Sequence, residues 1–342
     1  MSRPAAAPLS ERVQYSPAKE GLSFRHNCGI IAAAVKDRRE RIPLVPAKAA
    51  PAAPETEKVG RSMSIKITAD STCDLTRSLV EKYGITITPL TVSCGSESFH
   101  DGIDITPDAL YGKIAASGQL ASTAAVNVQE YIDVFSRALR DHDAVIHFTI
   151  SSAMSACYQN ACIAAQELGN VWVVDSRNLS TGIAHLVLDA CELASGGMDA
   201  ADIHRELEHR REKLDVSFVV DTLEYLRKGG RCSSVAAIGA NLLKLHPCIF
   251  VKDGEMGVGK KYRGKMENCL TDYVKDRLAN PDTVDTRRVF ITDSGIGEDI
   301  RARVEETVRA LVPFEEIIHT RAGCTVSCHC GPGTLGILFY RK

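Results

Sequence analysis

Few of the signals that mark membrane proteins, nucleic-acid binders or nucleotide-driven enzymes occur in this sequence. No apolar run in its 342 residues approaches the roughly 20 residues needed to span a bilayer, so no membrane insertion is expected. There is no surplus of positive charge: 41 Lys and Arg stand against 43 Asp and Glu, a net charge of −2. No basic field therefore draws the chain to nucleic acid or anionic lipid. Among 12 cysteines there is no Cys-x-x-Cys pair, which fits buried reduced thiols in a cytoplasmic protein better than a disulfide framework. No Gly-x-Ser-x-Gly elbow occurs, so spacing gives a Ser-His-Asp hydrolase triad no support.

What is present, 44% apolar and 25% charged residues, suits a soluble globular chain long enough for two domains. Residues 1–62 differ in kind, holding seven of the 13 prolines together with Ala runs. Such a segment buries too little apolar surface to fold and is expected to be a disordered extension. It reads as sequence upstream of a functional start at Met63 or as a targeting segment, and its six acidic residues weigh against the second. Domains are expected over 63–215 and 216–342.

The organising stretch is Phe148-Thr149-Ile150-Ser151-Ser152-Ala153-Met154-Ser155-Ala156-Cys157-Tyr158-Gln159. Residues 145–149 read as a buried strand and the Ala-rich 153–168 as a helix, with Ser151 or Ser152 at its N-cap. Hydroxyls and unpaired backbone N–H groups gathered at one point suit a carboxylate or phosphate. A capped helix without a ligand is the bland alternative. Similar polar clusters follow 65–69 (Asp70-Ser71-Thr72), 171–174 (Asp175-Ser176) and 289–291 (Thr292-Asp293-Ser294). In an open parallel α/β sheet the carboxyl ends of the strands form the ligand-binding edge, so these clusters predict a crevice.

Helices are expected over 74–83 with Asp74 as cap, 107–116, 128–139, 181–194, 200–214 capped by Asp199, 222–228, 235–243 and 298–311. Further strands are expected over 85–92, 217–220 and 335–341, with 122–127 a loop. A hairpin is expected to turn at Asp253-Gly254. Alternation of strand and helix predicts an N-terminal α/β domain with a parallel sheet and a smaller C-terminal α/β domain.

Three motifs fail on context. Gly254-x-x-x-x-Gly259-Lys260 resembles a phosphate loop, but Lys261 stands where Ser or Thr would hold Mg²⁺. Gly331-Pro332-Gly333-Thr334-Leu335-Gly336 is followed by a strand, not the helix a dinucleotide fingerprint requires. Cys324, Cys328, His329 and Cys330 match no zinc-finger spacing. No metal and no cofactor is expected.

From about residue 65 to its end the chain resembles the DegV family, whose members include the fatty-acid-binding subunits of bacterial fatty acid kinase. The resemblance rests on Asp70-Ser71-Thr72-x-Asp74-Leu75, Pro89-Leu90, Asp101-Gly102-x-Asp104-Ile105, Ser151-Ser152-x-x-Ser155-x-x-Tyr158-Gln159, Asp175-Ser176-Arg177, Leu223-x-x-Leu226-x-x-Gly229-Gly230-Arg231, Arg263-Gly264 and His329-x-Gly331-Pro332-Gly333, in family order.

This resemblance implies a two-domain protein enclosing one long-chain, palmitate-like fatty acid in an apolar tunnel at the strand ends. It places the carboxylate on Thr123, Ser155 and His329. Asp70, Ser71, Ser151, Ser152 and Arg231 would support the pocket, and Arg231 and Arg263 would dock a separate kinase subunit. That kinase would form the acyl phosphate, so the chain itself would be a non-catalytic lipid-transport protein of fatty acid metabolism. Three positions depart from the family pattern: Ala124 and Cys157 lack a hydroxyl, and Ala156 replaces Gly. The alternatives are a Ser/His-dependent esterase or acyl-transfer enzyme, with His329 as base toward Ser155, or a related protein for another small anionic ligand.

Overall fold

The computed structural model describes residues 63–236 and 245–342. The expected extension over 1–62 lies outside the described residues, as does most of the apolar helix expected over 235–243.

The first sheet is parallel, in the order Thr86–Thr88, Ile65–Asp70, Ala144–Thr149, Val171–Asp175. All six residues of Ala144–Thr149 are buried, because a central parallel strand is covered on both faces and needs no polar alternation. The second sheet has six strands in the order Glu255–Arg263, Leu245–Lys252, Leu214–Val219, Leu335–Arg341, Val284–Asp293, Glu316–Arg321. Only its last pair is parallel. The Asp253-Gly254 turn forms as expected, both residues having positive φ (53° and 87°), which suits a two-residue hairpin loop.

Helix Thr181–Ser195 joins the two sheets. Eleven of its residues are buried, so it is apolar nearly all round, as a fully enclosed helix must be. One core runs from Ile67, Ile146 and Phe148 of the first sheet through Ile183, Leu186 and Val187 to Val216, Phe290 and Leu338 of the second. Each such side chain contributes about 1.5–3 kcal/mol of burial.

Four local expectations need correction. The strand expected over 85–92 is broken at Pro89, which has no N–H for a ladder. Thr86–Thr88 stays in the parallel sheet, while Thr91–Cys94 pairs with Glu97–His100 and Ser122–Ala124 in a small antiparallel sheet. Thr123 therefore lies on a strand, opposite Val92, rather than in a loop. Asp74 does not cap a helix: Thr76 caps Arg77–Tyr83, and Asp74 sits in the left-handed region (φ 52°), its carboxylate taken up elsewhere.

The central helix starts at Cys157, not Ala153, and neither Ser151 nor Ser152 caps it. Residues 151–155 instead form a turn in which the Met154 and Ser155 N–H groups donate to Ser151 O. Two helices were not expected at all, Met266–Arg277 and Cys324–Cys330.

Candidate functional site

A cavity with about 860 Å³ of unfilled space, counted to its mouth, opens where the first sheet meets the second. Leu90, Ile150 and Leu179 reach it from just beyond the carboxyl ends of Thr86–Thr88, Ala144–Thr149 and Val171–Asp175. Phe218, Met256 and Leu338 reach it from the six-stranded sheet. Val326 and His329 come from helix Cys324–Cys330. The mainly apolar wall suits a ligand with an apolar body.

Polar groups gather on one wall. Strand Ser122–Ala124 brings in Thr123, the turn before Cys157–Leu168 brings in Ser155, and helix Cys324–Cys330 brings in His329. Thr123 Oγ1 and His329 Nε2 are 2.9 Å apart. His329 Nδ1 has no hydrogen-bond partner and is packed so closely on Gly229 that a Cβ built there would lie 2.2 Å away. Which of the two groups donates depends on the imidazole tautomer. Nδ1 makes no competing bond, and a proton on Nε2 is donated to Thr123. The Thr123 hydroxyl is then free to donate into the cavity.

Burial, with Arg231 nearby, pushes the His329 imidazole down to about 4. It is therefore neutral at pH 7, and the formal positive charge of this wall belongs to Arg231. Arg231 is exposed at the cavity edge. Its Nη1 donates to Gly229 O at 2.7 Å and its Nε to Met154 O at 3.4 Å.

Ser155 Oγ accepts the Cys157 N–H at 3.3 Å and lies 3.2 Å from Cys157 Sγ. Burial pushes the Cys157 thiol up to about 12, so it is no thiolate. Ser155 is thus held by Cys157 and His329 by Thr123: the two are not a nucleophile and base in contact. Ala124 also lines the cavity, without a hydroxyl to offer.

The other expected residues stand behind the wall or away from it. Asp70 is fully buried, accepts from Tyr131 Oη at 2.7 Å and the Ile150 N–H at 3.3 Å, and faces His147 Nε2 at 3.3 Å. Ser71 Oγ donates to Asp101 at 3.0 Å and accepts the Leu90 N–H. Ser151 Oγ donates to Gly254 O at 2.7 Å, tying the turn to the hairpin. Ser152 is exposed and donates to Asp175 at 2.6 Å. None of these four lines the cavity, and neither does Arg263. Of the four strand-end clusters only Thr292-Asp293-Ser294 reaches it whole. Among the described residues no group of three His, Cys, Asp or Glu is arranged to hold a metal ion.

A family model for DegV proteins, described as uncharacterised, matches residues 64–342. A DegV domain-containing protein of Clostridium perfringens is 31% identical over 288 residues, covering 81% of this chain and 99% of the relative. A similar protein of Clostridium acetobutylicum is 32% identical, over 81% of this chain and 99% of its own length. Among solved structures, a Thermus thermophilus DegV family protein described for fatty acid binding superposes with a TM-score of 0.76 at 31% identity, covering 82% of this chain and all of that one. A stearic-acid-binding protein from Eubacterium ventriosum gives a TM-score of 0.71 at 28% identity, over 81% of this chain and 98% of its own.

Proposed function

The chain belongs to the DegV family, and from that premise we propose that it is a carrier of one long-chain fatty acid. The acyl tail runs as in a tunnel along the apolar wall of the cavity, and the carboxylate lies on Thr123 and Ser155, with His329 holding the Thr123 hydroxyl. One observation carries this reading: a hydrogen-bonded Thr123–His329 pair, the Ser155 hydroxyl and the Arg231 guanidinium all line one largely apolar cavity. A carboxylate leaving water needs several strong donors. The Thr123 hydroxyl, oriented by His329, and the Arg231 guanidinium meet that need without a protonated histidine.

Asp70, Ser71 and Ser151 hold the wall by fixing the backbone at Ile150, Leu90 and the turn 151–155. The carboxylate end faces the mouth beside Arg231, where a separate ATP-dependent kinase, docked on Arg231 and Arg263, converts it to an acyl phosphate. The carrier has no catalysis of its own and works in the cytoplasm, where its thiols stay reduced.

Calorimetric titration of delipidated protein with palmitate tests the site. Removing a donor to a charged group costs about 1.5–3 kcal/mol, so Thr123→Val should weaken binding roughly 10- to 150-fold while leaving the fold intact. Equal palmitate affinity in Thr123→Val and the unaltered protein would overturn the assignment.

A further inference from the structure

Two side chains of the cavity wall differ in mechanical kind from the rest. The apolar members Leu90, Ile150, Leu179, Phe218, Leu226 and Leu338 are branched or aromatic, with few torsions to turn. Met154 and Met256 are unbranched, with three rotatable bonds and a polarisable sulfur, so they fill gaps of irregular and changing shape. The other described methionines, Met63, Met198 and Met266, do not line the cavity.

Both methionines belong to one apolar layer. They share a buried cluster with Leu179, Phe218 and Leu226, which line the cavity themselves. The backbones that carry them are pinned, and pinned to each other. The Met154 N–H donates to Ser151 O at 2.9 Å, and Met256 pairs with Val251 across the hairpin. Ser151 Oγ donates to Gly254 O at 2.7 Å, which ties the turn that carries Met154 to the hairpin that carries Met256. The consecutive residues Arg231 and Cys232 hold both from another side: Arg231 Nε donates to Met154 O at 3.4 Å and Cys232 Sγ to Met256 O at 3.6 Å. The two methionines therefore flank one short segment at the cavity edge. A change of wall shape there is made by their side chains and not by the main chain.

A saturated acyl chain lies straight in its lowest-energy form, whereas a cis double bond imposes a bend. A close-packed wall of stiff side chains fits one of these shapes and is strained, or left with gaps, by the other. Flexible side chains on a fixed backbone repack around either. We propose that Met154 and Met256 are the chain-shape determinants of this cavity, through which it holds straight saturated and bent cis-unsaturated long-chain acids with similar affinity. The inference rests on the fatty-acid carrier reading and names the range of acids carried.

Calorimetric titration of delipidated protein with stearate and with cis-6-, cis-9- and cis-11-octadecenoate tests it. The proteins compared are the unaltered chain, Met154→Leu, Met256→Ile and the double variant. These replacements keep volume and apolarity but remove torsional freedom, and Ile suits a strand. The four affinities are compared within each protein, so a uniform weakening does not count. In the unaltered chain they should agree within about fivefold. In the double variant at least one cis acid should fall roughly 5- to 150-fold behind stearate, the fold-change of overpacking a stiffened wall. A wider spread in the unaltered chain, or a double variant whose affinities still agree within about fivefold, would overturn the proposal. The single variants carry the same reading where the double variant does not fold. Failure of the unaltered chain to bind any of the four acids would instead remove the carrier reading, and this inference with it.

Discussion

At the scale of single residues, three buried titratable groups set how the protein responds to pH. Asp74 keeps its proton in the fold up to about 8, whereas a free carboxyl ionises near 3.8. Between those values the folded chain binds more protons than the unfolded one, so stability falls as pH rises. His329 and His185 act oppositely. Burial pushes them down to about 4 and about 3, while the unfolded chain takes up their protons near pH 6.5. Their contribution is complete above about 6.5 and is lost as pH falls below it. Stability is therefore expected to be greatest near pH 6.5. Denaturant melts should show a loss of about 1–2 kcal/mol from pH 6.5 to 8. Asp74→Asn should flatten that limb and, because the Asp74 term opposes the histidine term between about pH 4 and 6.5, steepen the acid one; an unchanged alkaline slope in that variant would contradict the role given to Asp74.

At the scale of elements, helix Cys324–Cys330 explains both what sequence reading found and what it missed. Its sequence, Cys-Thr-Val-Ser-Cys-His-Cys, holds mostly poor helix formers. The helix forms because its first N–H groups are taken by carboxylates distant in the chain, Asp74 at Gly323 and Asp101 at Cys324 and Thr325. No local signal could announce caps separated by more than 220 residues. The motifs Asp70-Ser71-Thr72-x-Asp74 and Asp101-Gly102 were legible as a resemblance, but their part in building this helix was not. Thr123, Ser155 and His329 could be picked out as hydroxyl and imidazole groups in family-like surroundings. The cavity-lining residues Thr325 and Ser180 could not, since neither sits in a motif.

Helix Glu224–Gly229 packs on this element, and the fit leaves no space at Gly229. Gly229→Ala would place a Cβ 2.2 Å from His329 Nδ1 and 3.1 Å from its Cε1. The ring must shift, and its bond to Thr123 breaks. Overpacking of this kind costs about 1–3 kcal/mol, and fatty acid affinity should fall at least as far as in Thr123→Val. A variant with native affinity would show that the His329 ring position is immaterial.

At the scale of the whole molecule, the parallel first sheet, the hairpin at Asp253-Gly254 and the helix Glu298–Leu311 were all legible from periodicity and turn residues. The largely antiparallel order of the second sheet was not, because register between strands far apart in sequence depends on shared burial rather than local pattern. Nor did the polar clusters after each strand prove equivalent. Asp70 and Ser71 brace the wall, Ser152 and Asp175 bond each other on the surface, Ser155 lines the cavity, and Thr292-Asp293-Ser294 lines it with all its members.

The central claim is that this arrangement encloses one fatty acid by its carboxylate. Native mass spectrometry of the protein as purified, followed by organic extraction and lipid identification, tests it most directly. The account predicts a single bound long-chain acid per chain that is absent from Thr123→Val and His329→Ala. Protein that carries no acyl chain and takes up none when long-chain acid is added would contradict it.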